Sequence, residues 1–122
     1  MIEFESEALS LKILVTAFDA FDGESTNPAL EAVHRLDTHI GEHVITKLEI
    51  PTVFHESKNV ICKALKEDTY DVVLAIGQAG GRFEITPERV GINIDDARIP
   101  DNKGNQPIDK VIKAVSYTHL RA

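Results

Sequence analysis

The run Leu11-Lys-Ile-Leu-Val-Thr-Ala-Phe18 is apolar and β-branched over most of its length instead of alternating with polar residues. This pattern is typical of a strand that is buried on both faces, as in a parallel sheet covered by helices. Two further strands are predicted along the chain. Residues 43–50 alternate and end at Pro51, and residues 71–76 form another short apolar run.

Two helices are predicted between these three strands. The first begins at Asn27-Pro28, with Asn27 as the N-cap and Pro28 at the first helical position. The second extends from Val53 to about residue 68. In each helix the apolar residues share one face, with Ala29, Val33 and Leu36 in the first and Phe54, Ile61 and Leu65 in the second. The βαβαβ order predicts an α/β fold, specifically an α/β/α sandwich with a mainly parallel sheet.

The composition restricts the class of protein. The chain has 122 residues, of which 43% are hydrophobic, and a net charge of −7, which indicates one acidic globular domain. Without a basic cluster, neither nucleic acid nor a membrane is a predicted partner. Cys62 is the only cysteine, which excludes an internal disulfide and favours a reducing cytoplasm. Residues 1–10 are acidic, unlike a signal peptide, and are predicted to be an extension before the first strand.

The third strand leads into Gly77-Gln-Ala-Gly-Gly-Arg-Phe-Glu-Ile-Thr-Pro-Glu88-Arg-Val-Gly-Ile-Asn93. Glycines after a strand can cradle a phosphate if a helix follows. Pro87 and its β-branched neighbours predict extended structure instead, so the glycines are interpreted as a sharp turn. Such a turn at the carboxyl end of a strand is also where open α/β sheets place their sites.

Among the candidate chemical groups, Glu88 is open to two interpretations. It is either a surface partner of a nearby arginine or a functional carboxylate. Cys62 is predicted to be a surface residue rather than a nucleophile, because His55 lies ~10.5 Å away along the helix, beyond the reach of a Cys–His pair. No metal site is predicted, because no histidine has the spacing from a cysteine or a carboxylate that metal ligands show. The histidines are His34, His39, His43, His55 and His119.

Several motifs resemble the pyroglutamyl-peptidase I family of cysteine peptidases. Ala17-Phe-Asp-Ala-Phe-Asp-Gly23, followed by Asn27-Pro28, is similar to the family's Gly-Phe-x-Pro-Phe-Gly-Gly turn and Asn-Pro, with both phenylalanines retained. The stretch from Gly77 to Asn93 matches the family's glutamate motif at nearly every position. Asp96-Ala-Arg-Ile-Pro-Asp-Asn-x-Gly104 continues the resemblance, which covers residues 11–109.

The resemblance implies removal of an N-terminal 5-oxoproline from pyroglutamyl peptides by a Cys–His–Glu triad, with no cofactor. Glu88 would orient and charge the imidazole. Six residues would bind the substrate: Phe18, Phe21, Thr52, Gln78, Arg98 and Ile99. The phenylalanines would line the ring pocket, and Gln78 would present backbone groups to the lactam.

By the resemblance, the family's cysteine and histidine lie farther along than Pro107. The chain departs from the family's pattern after Pro107, and residues 110–122 are predicted to be a divergent tail. The chain is therefore interpreted as the N-terminal part of a truncated domain, inactive alone, with a divergent tail in which His119 is not catalytic. The alternative is a non-catalytic α/β module that binds a small ligand. A homo-oligomer is compatible with either interpretation.

Overall fold

The computed structural model describes residues 10–114, which form two helices and two sheets. Most of the predicted extension, residues 1–10, lies outside the described residues, as does the end of the predicted tail with His119. In chain order the elements are β1 (Lys12–Phe18), α1 (Pro28–His34), β2 (His39–Ile40), β3 (His43–Ile50), α2 (Glu56–Glu67), β4 (Val72–Ile76), β5 (Ile94–Asp95) and β6 (Lys110–Val111).

The main sheet has the strand order β2-β3-β1-β4. β1 pairs in parallel with β3 on one side and with β4 on the other, which confirms the predicted mainly parallel α/β sheet. β2 was not predicted, and it pairs antiparallel with β3. β5 and β6 form a separate antiparallel ribbon.

The order in which strands are added to the sheet reverses at β1. The chain steps from β1 to β3 on one side, then crosses back over β1 to β4. Right-handed crossovers therefore place α1 and α2 on opposite faces. Burial agrees: Val15 and Ala17 pack with α1, while Leu14 and Thr16 alternate to the other face and are each only 1% exposed. This reversal is a topological switch point, where open α/β sheets leave a crevice at the carboxyl ends of the strands.

The start of α1 is as predicted. Pro28 is the first helical residue, and the Asn27 side chain accepts a hydrogen bond of 2.9 Å from the Ala29 amide. The Asn27 amide group also donates to the Asp19 carbonyl over 3.2 Å. Asn27 is only 2% exposed, so this cap ties the helix to the end of β1 inside the core.

The predicted start of the second helix was wrong by three residues. α2 begins at Glu56 because His55 has a φ of 68°, a left-handed conformation that a helix interior excludes. Phe54 therefore precedes α2 instead of lying on its apolar face, and Leu65 on that face is 43% exposed. Cys62, predicted on the surface, is half-buried.

β4 carries the largest exposed apolar surface of the sheet. It is an edge strand in the described sheet, and Val72, Val73 and Leu74 are 40–50% exposed. The segment after it contains no helix between residues 85 and 94, as predicted, and Phe83 and Ile85 are almost completely exposed. An open, apolar strand edge is a template for pairing with another chain.

We expect the 122-residue chain to bind a hydrophobic dye and to self-associate through β4. Leu74→Lys should reduce association, measured by sedimentation velocity, because a charge on an edge strand opposes pairing. Ile40→Lys is the matched control, since Ile40 is equally exposed on the other edge but β2 is only two residues long. Equal effects of the two substitutions would contradict pairing through β4.

Candidate active site

An open groove of about 630 Å³ lies at the carboxyl ends of the three parallel strands. Its lining comes from the segments that follow β1, β3 and β4, together with the loop before β6. The lining residues are Phe21, Thr52, Phe54, Gln78, Gly80, Ala97, Arg98, Ile99, Pro100 and Asp101. The groove thus occupies the crevice that the switch of strand order creates, and its volume is that of a small-molecule site.

The structure brings five of the seven predicted site residues together in this groove: Phe21, Thr52, Gln78, Arg98 and Ile99. Two are not in its lining. Phe18 is half-buried at the end of β1, paired with Ile50 in the β1–β3 register. Glu88 lies on the exposed segment after β4.

The glycines after β4 form the predicted turn. Gly81 has a φ of +82°, and the Arg82 amide donates to the Ala79 carbonyl over 3.4 Å. A residue with a side chain is strained at that φ. The turn redirects the chain from the end of β4 so that Gln78 and Gly80 border the groove.

Glu88 is paired with an arginine in this structure. Its Oε1 lies 3.4 Å from Arg82 Nη1, and its side chain is 80% exposed. The same Arg82 nitrogen donates to Thr86 Oγ1 over 2.8 Å. At this exposure the pair contributes little to stability, so Glu88 can exchange its partner at small cost.

A second carboxylate, Asp101, organises one wall of the groove. Its Oδ2 accepts from the Phe54 amide at 2.8 Å and from Asn105 Nδ2 at 3.0 Å, and its Oδ1 accepts from the Lys103 and Asn105 amides. Sequence inspection identified only a polar turn here. Desolvation by burial raises the pKa of Asp101, but the bonds from Phe54, Asn105 and Lys103 outweigh it and lower the pKa from 3.8 to about 2.

This depressed pKa predicts a loss of stability in acid. Because the folded pKa is lower than the unfolded one, the contribution of Asp101 is complete above about pH 4 and is lost as the pH falls towards 2. Asp101→Asn should therefore flatten the decline of the urea midpoint between pH 5 and pH 2. Asp37→Asn, on an exposed residue, is the control, and an unchanged decline in Asp101→Asn would contradict the assignment.

Asp19 is another groove-supporting residue that sequence inspection missed. It directly follows β1, and its Oδ1 accepts hydrogen bonds from both the amide and the hydroxyl of Thr52, at 2.8 and 2.7 Å. The signal for it was its position, since a carboxylate immediately after a buried parallel strand lies where sites form.

The described part of the chain offers no cluster of three or more His, Cys, Asp or Glu residues suited to a metal ion. Within residues 10–114, no helix has the length and apolarity needed to cross a membrane. Cys62 lies in α2 and is not part of the groove lining.

The fold and groove define an α/β protein with an open groove at its topological switch point. The chain belongs to the pyroglutamyl peptidase family, whose model matches residues 11–119. A pyrrolidone-carboxylate peptidase of Staphylococcus haemolyticus is 75% identical over 103 residues, which are 84% of this chain and 49% of that protein. One of Clostridium perfringens is 59% identical over 99 residues, 81% of this chain and 46% of that protein.

Solved structures agree with the family. The crystal structure of pyroglutamyl peptidase I from Bacillus amyloliquefaciens superposes with a TM-score of 0.84 at 47% identity, covering 88% of this chain and 52% of that one. A mutant pyrrolidone carboxyl peptidase from Pyrococcus furiosus gives 0.82 at 38% identity, covering 87% of this chain and 51% of that one. The chain spans about half the length of the relatives it matches.

Proposed function

We propose that this chain forms the ring-binding part of a cysteine peptidase that removes N-terminal 5-oxoproline from peptides. The observation that carries the proposal is the convergence of five predicted substrate-binding residues on one groove. These residues come from separate segments of the chain, so their meeting at the ends of β1, β3 and β4 is a property of the fold. Membership of the pyroglutamyl peptidase family supports the same reaction.

The groove suits a small lactam. Phe21 and Ile99 offer apolar surface for the methylene groups of the ring, and Gln78 borders the groove where its backbone can meet the lactam amide. A pyroglutamyl peptide has no free N-terminal amine, so recognition depends on shape and on a few hydrogen bonds. Arg98 is an exposed residue of the groove lining that adds a cation, and the family resemblance places it near the reaction centre.

Glu88 is the proposed acid of the triad. In that role its carboxylate accepts a hydrogen bond from a histidine, holds the ring in one tautomer and stabilises its charged form. The exposed pairing with Arg82 leaves the carboxylate available for this exchange. By the family resemblance, the cysteine and histidine belong to the part of the relatives that this chain does not match.

One observation favours a second function. Glu88 is not in the groove lining and already has a partner in Arg82. A module that binds a small cyclic amide without hydrolysing it requires the groove but no triad. This alternative predicts ligand binding that is independent of Glu88.

We further propose the cytoplasm as the compartment. A single cysteine, free and half-buried, suits a reducing environment.

The proposed partners are peptides with an N-terminal pyroglutamyl residue, and a homo-oligomer is compatible with the exposed apolar edge at β4.

The test is a chimera that joins residues 1–109 of this chain to the second half of the Staphylococcus haemolyticus relative. We expect it to hydrolyse a pyroglutamyl coumarin amide with a kcat/KM at least about 100-fold above that for the prolyl amide, which lacks the ring carbonyl. The control replaces the cysteine nucleophile of the added half with serine. A folded chimera that does not hydrolyse the pyroglutamyl amide would contradict the proposed function.

A further inference from the structure

Asp19 joins three segments that are distant in sequence. Its Oδ1 accepts from the Thr52 amide at 2.8 Å, from the Thr52 hydroxyl at 2.7 Å and from Asn102 Nδ2 at 3.2 Å. One carboxylate oxygen thus connects the end of β1, the segment after β3 and the loop that carries the far wall of the groove. Bonds to an ionised acceptor are stronger than bonds between neutral groups.

Asn102 provides the other half of this connection. Its backbone amide donates to the Thr52 carbonyl over 3.0 Å, and its side-chain Nδ2 also donates to the Ala20 carbonyl over 2.8 Å. Asn102 is adjacent to Asp101, which lines the groove and caps the Phe54 amide. The loop of residues 97–102, none of which is buried, is therefore held by polar contacts to the segments that follow β1 and β3.

Thr52 is the groove residue that these contacts orient. Its hydroxyl is engaged by the Asp19 carboxylate and also lies 3.2 Å from the Asp19 carbonyl. Threonine carries one hydroxyl and one methyl on Cβ, so fixing the hydroxyl also fixes χ1 and the methyl. With its hydroxyl committed to Asp19, the methyl is the part of the Thr52 side chain that is left to contact a ring in the groove.

We propose that Asp19 is a positioning residue that sets the shape of the ring pocket and therefore its selectivity for a five-membered lactam. It acts through Thr52 and Asn102, and it touches neither the scissile bond nor the proposed triad. The inference rests on the proposed function, because it assigns the groove to the ring. The ring is chemically unchanged during acyl transfer, so its contacts contribute equally to ground-state and transition-state binding.

This role predicts a specific kinetic effect in the chimera. Asp19→Ala should raise KM for the pyroglutamyl amide by about 10-fold, the size expected for losing a charged hydrogen-bond acceptor, while kcat changes by less than about 3-fold. Selectivity over the prolyl amide should fall in parallel. Asp19→Asn retains an Oδ1 acceptor and should recover most of the KM.

Two further variants sharpen the test. Thr52→Val keeps the shape of the side chain but removes the hydroxyl. Because Asp19 is proposed to act partly through that hydroxyl, Asp19→Ala should raise KM less in the Thr52→Val background than in the parent chimera. Asp37→Ala is the matched control. Asp37 is exposed and precedes β2 at the opposite end of the sheet from the groove.

Amide hydrogen exchange in the 122-residue chain tests the same contacts without activity. Asp19→Ala should accelerate exchange at the Thr52 and Asn102 amides relative to those within β1 and β3. Unchanged exchange there would overturn the connection itself. A fall in melting temperature with KM and selectivity unchanged would show a purely structural role and overturn the proposal. An inactive wild-type chimera would instead overturn the proposed function, and with it the assignment of Asp19 to ring selectivity.

Discussion

Glu88→Ala is expected to lower kcat of the chimera by about 10³–10⁴-fold, the loss seen when the acid of a catalytic triad is disabled. The physical reason is that an unsupported imidazole adopts the wrong tautomer and loses the countercharge for its protonated form. Hydrolysis of the pyroglutamyl amide under saturating substrate measures the effect. Folding should be unaffected, because the Glu88 side chain is 80% exposed.

Two control variants separate this role from a general effect of charge. Glu84→Ala removes another exposed carboxylate of the same segment, and Arg82→Ala removes the present partner of Glu88. Both should leave kcat within about 3-fold of the parent, because neither is assigned a part in the triad. Near-normal turnover in Glu88→Ala would show that Glu88 is only the surface partner of Arg82.

The second large effect is an absence of activity. The 122-residue chain alone should hydrolyse pyroglutamyl amides no faster than buffer, because its one thiol is not placed for attack. Cys62 lies half-buried in α2 and does not line the groove. The measurement is prolonged incubation at high protein concentration with the coumarin substrate, in parallel with Cys62→Ser.

Turnover by the 122-residue chain that Cys62→Ser abolishes would contradict this account. It would make Cys62 the nucleophile and require the groove to extend to α2. Turnover equal in the two proteins would instead indicate a contaminating peptidase, which a repeat preparation identifies.

Local patterns predicted the main elements correctly. The apolar run from Leu11 and the Asn27-Pro28 pair depend on nearest neighbours and on strand burial, so β1 and the start of α1 were predictable. The parallel pairing followed from the long crossovers between strands. The expectation that residues 85–94 lack a helix followed from Pro87, because a proline has no amide hydrogen to donate and its ring clashes with the preceding turn of a helix.

Features set by tertiary contacts were not predictable. β2 is only two residues long and exists because it pairs with β3. The helix boundary at His55 depends on a left-handed φ that no residue type there signals. The Asp19–Asn102 contact spans 83 positions in the sequence, and such a distance leaves no local pattern.

For the site, the sequence predicted the residues that line the groove better than the residues that hold its segments together. Phe21, Thr52 and Gln78 were identified through motifs, and they share one groove. Asp19 and Asp101 were not assigned roles. The position of Asp19 directly after a buried strand indicates a nearby site but no particular role, and a carboxylate that holds loops together has no distinctive spacing. The catalytic role of Glu88 stays a prediction, since its partner here is Arg82.

A crystal structure of the chimera with the aldehyde analogue of 5-oxoproline tests the central claim most directly. The aldehyde carbon should be bonded to the cysteine of the added half, with the ring in the groove against Phe21, Thr52 and Ile99. Glu88 should have left Arg82 for the imidazole of the catalytic histidine. A ring bound outside this groove, or an analogue bound while Glu88 still pairs with Arg82, would contradict the account.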